Sequence, residues 1–160
     1  MVEQSLFSYP LHHSVIYINS LHWFIIVILT MASPKEHCSL STVLVTGGSG
    51  GLASQILQLF SQRGCEQLHS IDLREPSHHL TGITYHIADL TSADMMRQVF
   101  DEVRPDIVIH TASPKFDSPN QIMYKVNVEG TKNLVQIAKE SGIPILCVYK
   151  LRERHQRRQN

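Results

Sequence analysis

The chain has 160 residues, 42% apolar and 18% charged, with a formal net charge of zero; this suits one soluble domain with its own core and excludes a chain of disordered composition. The zero conceals an asymmetry, because residues 150–160 carry five basic side chains against Glu153, making the tail +4 and the remainder −4, and a negative body argues against nucleic acid as a partner. Cys38, Cys65 and Cys147 are far apart, and the pairs His12-His13 and His78-His79 are adjacent rather than at helical spacing, so neither a disulfide framework nor a metal site is expected.

From Val15 to Met31 the chain is mostly apolar around the run Trp23-Phe-Ile-Ile-Val-Ile-Leu29. The stretch is 17 residues long and includes Asn19, Ser20 and His22, short of the roughly 20 apolar residues that a membrane-crossing helix needs. No Lys or Arg precedes it, which argues against a secretory signal. Lys35 follows it, so an inserted helix would leave the rest of the chain in the cytosol. Two readings stand: a signal anchor for a cytosol-facing domain, or a non-native leader ahead of a start at Met31. The leader is the expectation, because α/β domains that open on a buried strand begin close to it.

Thr42–Thr46 reads as that strand, continuous and apolar. It runs into Gly47-Gly-Ser-Gly-Gly-Leu-Ala53, where Gly47, Gly50 and Ala53 are spaced three apart. In such a turn the first glycine permits the bend, the second lets backbone approach a pyrophosphate, and the third small residue lets the helix sit close on the strand. The helix is expected from Gly51 to Arg63 with Leu52, Ile56, Leu57 and Phe60 inward, and Gly64 ends it. Gln67–Ile71 is the next strand, closed by Asp72. A carboxylate there accepts hydrogen bonds from an adenosine ribose and repels a 2′-phosphate, which favours NAD. Arg74 is placed to pair with that phosphate instead, and a solvated turn carboxylate is the plainer reading of Asp72. Ile83–Ile87 leads into Asp89-Leu90, where a carboxylate meets an adenine amino group. Ser92 caps a helix with Met95, Met96, Val99, Phe100 and Val103 as its core stripe. Pro105 breaks it, and Ile107–His110 is the fourth strand of this series. Ala112 and Ser113 follow at the crevice. A helix over residues 121–141, with Val126, Gly130, Leu134 and Ile137 on one face, precedes a fifth strand, Ile145–Tyr149. The order predicts an α/β fold, a Rossmann-type doubly wound parallel sheet of about five strands, incomplete at its end and preceded by the apolar leader. The domain boundaries expected are 1–40 for the leader, 41–149 for the nucleotide domain and 150–160 for a solvated basic tail.

With these residues in view the chain resembles the extended short-chain dehydrogenase/reductase superfamily, and within it the 3β-hydroxysteroid dehydrogenase branch that includes sterol-4α-carboxylate 3-dehydrogenases. The likeness rests on Val45-Thr-Gly-Gly-Ser-Gly-Gly-Leu-Ala53, Asp89-Leu90, Asp106-Ile-Val-Ile-His-Thr-Ala-Ser-Pro114 and Val126-Asn-Val-Glu-Gly-Thr-Lys-Asn-Leu134. It covers residues 41–149. The family more usually has glycine at the place of Ala53 and a bulky residue at that of Gly51. It also places a Tyr-x-x-x-Lys pair after the fifth strand. Here the residues four beyond each tyrosine are His13, Leu21, Asp89, Val128 and Glu153, so the pair does not occur. The lysine of such a pair lowers the tyrosine pKa for proton exchange during hydride transfer.

The resemblance therefore implies the cofactor-binding portion of an NAD(P)-dependent oxidoreductase acting on the CH–OH group of a steroid or sterol, cut short after the fifth strand and inactive as this chain. The implied cofactor site is Gly47, Gly50, Gly51, Leu52, Ala53, Asp72, Asp89, Leu90, Ala112 and Ser113, with NAD preferred to NADP and the sterol bound only by a longer form. Asn127 matches a position that orients active-site groups, or is a buried helix amide. The expected location is the cytoplasm, at the cytosolic face of the endoplasmic reticulum membrane if residues 15–31 insert. Two alternatives stand, a non-catalytic nucleotide-binding regulator and a fragment of a nucleotide-sugar epimerase- or dehydratase-type relative. A fifth strand left as an open edge would make the product marginal or prone to association.

Overall fold

The computed structural model describes the backbone of residues 14–18 and the whole of residues 41–149. The strands are β1 (Ser14–Ile18), β2 (Thr42–Thr46), β3 (Gln67–Asp72), β4 (Ile83–Ile87), β5 (Ile107–His110) and β6 (Ile145–Tyr149). The helices are α1 (Gly51–Gln62), α2 (Ala93–Val103), α3 (Asn120–Tyr124) and α4 (Thr131–Glu140), and a π-helical turn, Lys125–Gly130, joins the last two. All six strands are parallel in the order β1-β6-β5-β2-β3-β4. The Rossmann-type sheet expected over residues 41–149 is therefore present.

The strands form where β-branched residues run without interruption, and β2 and β5 are buried along their whole length. Alternate residues feed two cores. On one face Val43, Val45, Leu68, Ile107 and Ile109 meet Ala53, Ile56, Leu57 and Phe60 of α1. On the other, Leu44, Val108, Leu146 and Val148 meet Met96, Val99 and Phe100 of α2 with Leu134 and Ile137 of α4. Each fully buried Leu, Ile or Phe side chain contributes about 1.5–3 kcal/mol, so the two layers hold the sheet. Met95, expected in the α2 stripe, is 41% exposed, because the apolar face is narrower than the run of large residues. Left-handed residues stop three helices as the glycine spacing implies, with φ of 82° at Gly64 and 69° at Gly142, while Arg104 takes φ 48° ahead of Pro105.

Two expectations need correction. The strand Ile145–Tyr149 is not an open edge: β1 pairs with it in parallel from Ser14↔Ile145 to Ile18↔Tyr149. A β-branched run within the leader supplies the missing neighbour, and the edges of the sheet are β1 and β4. The apolar stretch thus begins as strand over Val15–Ile18. Its remainder, with the choice between anchor and leader, lies outside the described residues, as does the basic tail. Among the described residues no helix is long and apolar enough to cross a membrane. The second correction concerns Cys65, which is buried and disulfide-bonded. Disulfide formation depends on the approach of two Cα atoms, which sequence spacing does not reveal.

On β3 and β4 the rings of His69 and His86 stack, with Nδ1 of the first 3.1 Å from Nε2 of the second. Burial, and then the neighbouring His86, push the His69 pKa below its usual 6.5, with Glu102 opposing. Below the ordinary histidine pKa the unfolded chain binds more protons than the folded one, so stability is full above 6.5 and is lost as pH falls through that value. The thermal midpoint should drop between about pH 7.5 and about pH 5.5, and His69→Phe should reduce that drop. An unchanged drop in the variant would assign it elsewhere.

Candidate functional site

The chain order reverses at β2, whose neighbours are β3 on one side and β5 on the other. The carboxyl ends of β2 and β5 lie side by side, Thr46 opposite His110. Such a switch point opens a crevice beyond the strand ends. Gly47 leaves β2 there with φ 82°, and a Cβ on it would stand 2.8 Å from the Ala112 Cα and 2.9 Å from its nitrogen. Only glycine meets both conditions. At Gly50 a Cβ would come within 3.0 Å of the Gly47 carbonyl oxygen, whereas at Gly51 it would meet open space.

The turn uses some of its amides internally. Gly47 and Gly48 both donate to the Ile71 carbonyl, at 2.8 and 3.2 Å, and Gly50 donates to Gly47 at 2.8 Å. The first bond into α1 runs from Ser54 to the Gly50 carbonyl at 3.0 Å. The N–H groups of Gly51, Leu52 and Ala53 accordingly have no partner among the described residues. The first turn of α1 carries no acidic side chain. Unspent amides at the positive end of a helix dipole suit an anion. Ala53, 1% exposed, seats α1 against β2, while Leu52 packs at the margin of the same core.

Asp72 ends β3 beside this turn. Its Oδ2 accepts the Ser49 N–H at 2.8 Å, and its Oδ1 accepts those of Leu73 at 2.7 Å and Arg74 at 3.4 Å. The carboxylate thus shapes the glycine turn and keeps further lone pairs toward solvent. Asp89, after β4, accepts both the N–H and the hydroxyl of Thr91 at 2.8 Å on Oδ1. Leu90 is buried against Gly130, where an added Cβ would lie 3.1 Å from the leucine side chain. These two residues are bonded within their own turn and packed on the π-helical turn. Asn133 reinforces the arrangement by donating to the Thr91 carbonyl at 3.1 Å. Ala112 walls the crevice against Gly47, and Ser113 is exposed with its hydroxyl on the Pro114 carbonyl at 3.3 Å.

Several contributors were not visible in the spacing. Ser70, 1% exposed, lies so close beneath Gly48 that no Cβ fits there, and its buried Oγ has no hydrogen-bond partner among the described residues. Glycine at 48 is thereby a consequence of a residue on another strand. Ser49 bridges the turn to β3 through its N–H and through a hydroxyl bond to the Arg74 carbonyl at 3.1 Å. His110, 3% exposed, joins Thr46 to Thr131. The helix expected over 121–141 is interrupted by the π-helical turn at Asn127, whose carbonyl accepts the Thr131 hydroxyl at 2.8 Å. A serine beside a glycine turn and a histidine closing a buried strand were the available signals, and neither says what it touches.

The crevice offers an open glycine cradle, an orphaned hydroxyl beneath it, three free amides and a carboxylate at its side, a donor set that fits a dinucleotide diphosphate and ribose. Among the described residues no nucleophile is poised there. Burial pushes the Cys147 thiol up to about 12, so it stays protonated. The groove between α2 and α4 is lined by Arg97, Asp101, Arg104 and Glu140, on helices of the opposite layer from the glycine turn. Among the described residues no cluster of His, Cys, Asp and Glu could hold a metal ion.

A sequence profile of the 3-beta hydroxysteroid dehydrogenase/isomerase family matches residues 44–150. The decarboxylating sterol-4-alpha-carboxylate 3-dehydrogenase of Saccharomyces cerevisiae is 33% identical over 116 residues, which cover 67% of this chain and 33% of that one. Its namesake from Schizosaccharomyces pombe is 34% identical over 111 residues, 67% and 32% of the two chains. Among solved structures, the UDP-glucose 4-epimerase of Thermus thermophilus in complex with NAD matches with a TM-score of 0.61 and 27% identity, over 66% of this chain and 36% of that one. The chain spans about a third of the length of the curated relatives it matches.

Proposed function

Because the chain belongs to the 3-beta hydroxysteroid dehydrogenase/isomerase family, we propose that it is the cofactor-binding portion of an NAD-dependent oxidoreductase of steroid or sterol 3β-alcohols, binding the dinucleotide without turning it over. The observation that carries this reading is the turn Gly47–Ala53, closed against Ala112 with the amides of Gly51, Leu52 and Ala53 unspent. Those amides would hold the pyrophosphate and Asp72 the adenosine ribose. Asp89 and the Leu90 backbone would meet the adenine, and Ala112 and Ser113 would border the nicotinamide end. The Asp72 charge favours NAD over NADP. The proposal of binding without turnover concerns these 160 residues alone, in which no tyrosine is followed four residues later by lysine. In a longer form the bound cofactor would accept a hydride from the sterol. The same reading assigns residues 41–149 to the cofactor domain and places the protein in the cytoplasm, with the cytosolic face of the endoplasmic reticulum membrane as the site of any attachment.

A second reading, a piece of an epimerase-type relative, draws on the likeness to the Thermus enzyme. The run His110-Thr-Ala-Ser-Pro114 favours the sterol branch. Titration of the purified chain with NADH, followed by nucleotide fluorescence, should give saturable binding below about 1 mM, with no NADH formed from NAD and a 3β-hydroxysterol. No binding at that concentration would remove the proposal. Steady NADH production would remove the claim that turnover is absent.

A further inference from the structure

His110 closes β5 at the crevice with both ring nitrogens bonded inside the fold, Nδ1 to the Thr46 Oγ1 at 2.7 Å and Nε2 to the Thr131 Oγ1 at 3.0 Å. The direction of each bond follows from groups with no choice. The Asn127 carbonyl can only accept, so the Thr131 hydroxyl donates its one proton there, at 2.8 Å. Thr131 Oγ1 must then accept from His110, which places a proton on Nε2. On the other side the Ala112 N–H can only donate, and it does so to Thr46 Oγ1 at 3.4 Å. The Thr46 hydroxyl proton has no acceptor other than Nδ1 among the described residues, which makes Nδ1 the acceptor of this bond. These bond directions correspond to the Nε2–H tautomer.

This path of hydrogen bonds runs from the glycine turn to the π-helical turn. Thr46 immediately precedes Gly47, and Ala112 is the residue on which Gly47 rests. Thr111 adds a second tie, its hydroxyl donating to the Thr46 carbonyl at 2.7 Å. Asn127 lies in the π-helical turn, a distortion that recurs where helices serve function. We propose that His110 is a positioning residue that couples the glycine turn to the π-helical turn through Thr46, Nδ1, Nε2, Thr131 and the Asn127 carbonyl. Every link lies within the fold, so a shift at Thr46–Gly47 reaches Asn127 unless one of these bonds breaks. The coupling rests on the reading of the glycine turn as the dinucleotide site.

The test uses the full chain labelled with ¹⁵N. Long-range ¹H–¹⁵N spectra without nucleotide should show His110 with a protonated Nε2 and an unprotonated Nδ1. Addition of NADH should shift the amide signals of Asn127 and Thr131. Thr131→Val should bind NADH within about threefold of the parent yet lose the Asn127 shift, and Thr131→Ser should restore it. If Thr131→Val does not fold, Thr46→Ser and Thr46→Val make the same comparison from the other end. A cationic or Nδ1-protonated ring overturns the proposal, as does an Asn127 shift that survives in both valine variants. Failure of the parent to bind NADH would overturn the dinucleotide reading and the coupling together, while the tautomer, read without nucleotide, stands or falls separately.

Discussion

Gly47→Val should abolish measurable NADH binding and remove a large fraction of the folding free energy. Two costs meet at this position. A φ of 82° places the residue in the left-handed region, where an L side chain costs roughly 1–2 kcal/mol and a β-branched one more. The Cβ would also stand 2.8 Å from the Ala112 Cα and 2.9 Å from its nitrogen. Both are backbone atoms at the exit of a buried central strand, so no rotamer relieves the contact, and β2 and β5 must separate where Thr46 and Thr111 are bonded at 2.7 Å. Overpacking of this kind adds about 1–3 kcal/mol, and the sum is a large fraction of the roughly 5–15 kcal/mol that is typical of folded domains. Gly64→Ala is the informative comparison. Gly64 has the same φ, 82°, but a Cβ there meets nothing within 4 Å, so it isolates the conformational cost at about 1 kcal/mol. Urea unfolding of both variants reads the difference. Equal losses would mean that the approach to Ala112 is unimportant.

Asp72→Asn should weaken NADH binding by roughly tenfold to a hundredfold and narrow the gap between NADH and NADPH. The carboxylate accepts three backbone N–H groups, from Ser49, Leu73 and Arg74. An amide in its place has one acceptor oxygen, so either the Ser49 link to the glycine turn or the Leu73–Arg74 link is lost. Hydrogen bonds to a charged group contribute about 1.5–3 kcal/mol, which sets the expected range. The loss of charge also removes the repulsion of a 2′-phosphate, with Arg74 left nearby, so NADPH should suffer less than NADH. Parallel titrations with the two nucleotides check this. Equal affinity of parent and variant for NADH would show that Asp72 serves its own turn and not the ribose.

How much of this was legible beforehand depended on the range of the interaction involved. The five strands of residues 41–149, the caps at Gly64, Ser92 and Gly142, and the glycine turn with Asp72 at the next strand end follow from periodicity and punctuation over a few residues. The family could be named from the same short stretches. The expected site residues fall at the sheet's carboxyl edge for the same reason, since parallel βα units bring every strand end to one side.

What escaped was set by partners far along the chain. The pairing of Ser14–Ile18 with Ile145–Tyr149 joins segments about 130 residues apart, and nothing local in an apolar run distinguishes a strand from a leader. Gly48 is glycine because of Ser70, and the long helix is distorted at Asn127, where Thr131 turns to its carbonyl under the hold of His110. The sequence by itself determined the elements, the turn and the family, because those reside in local pattern. Only the tertiary structure decided the sixth strand, the closeness of Gly47 to Ala112 and the placing of His110 between Thr46 and Thr131, because each depends on which distant atoms the packed sheet brings within bonding range.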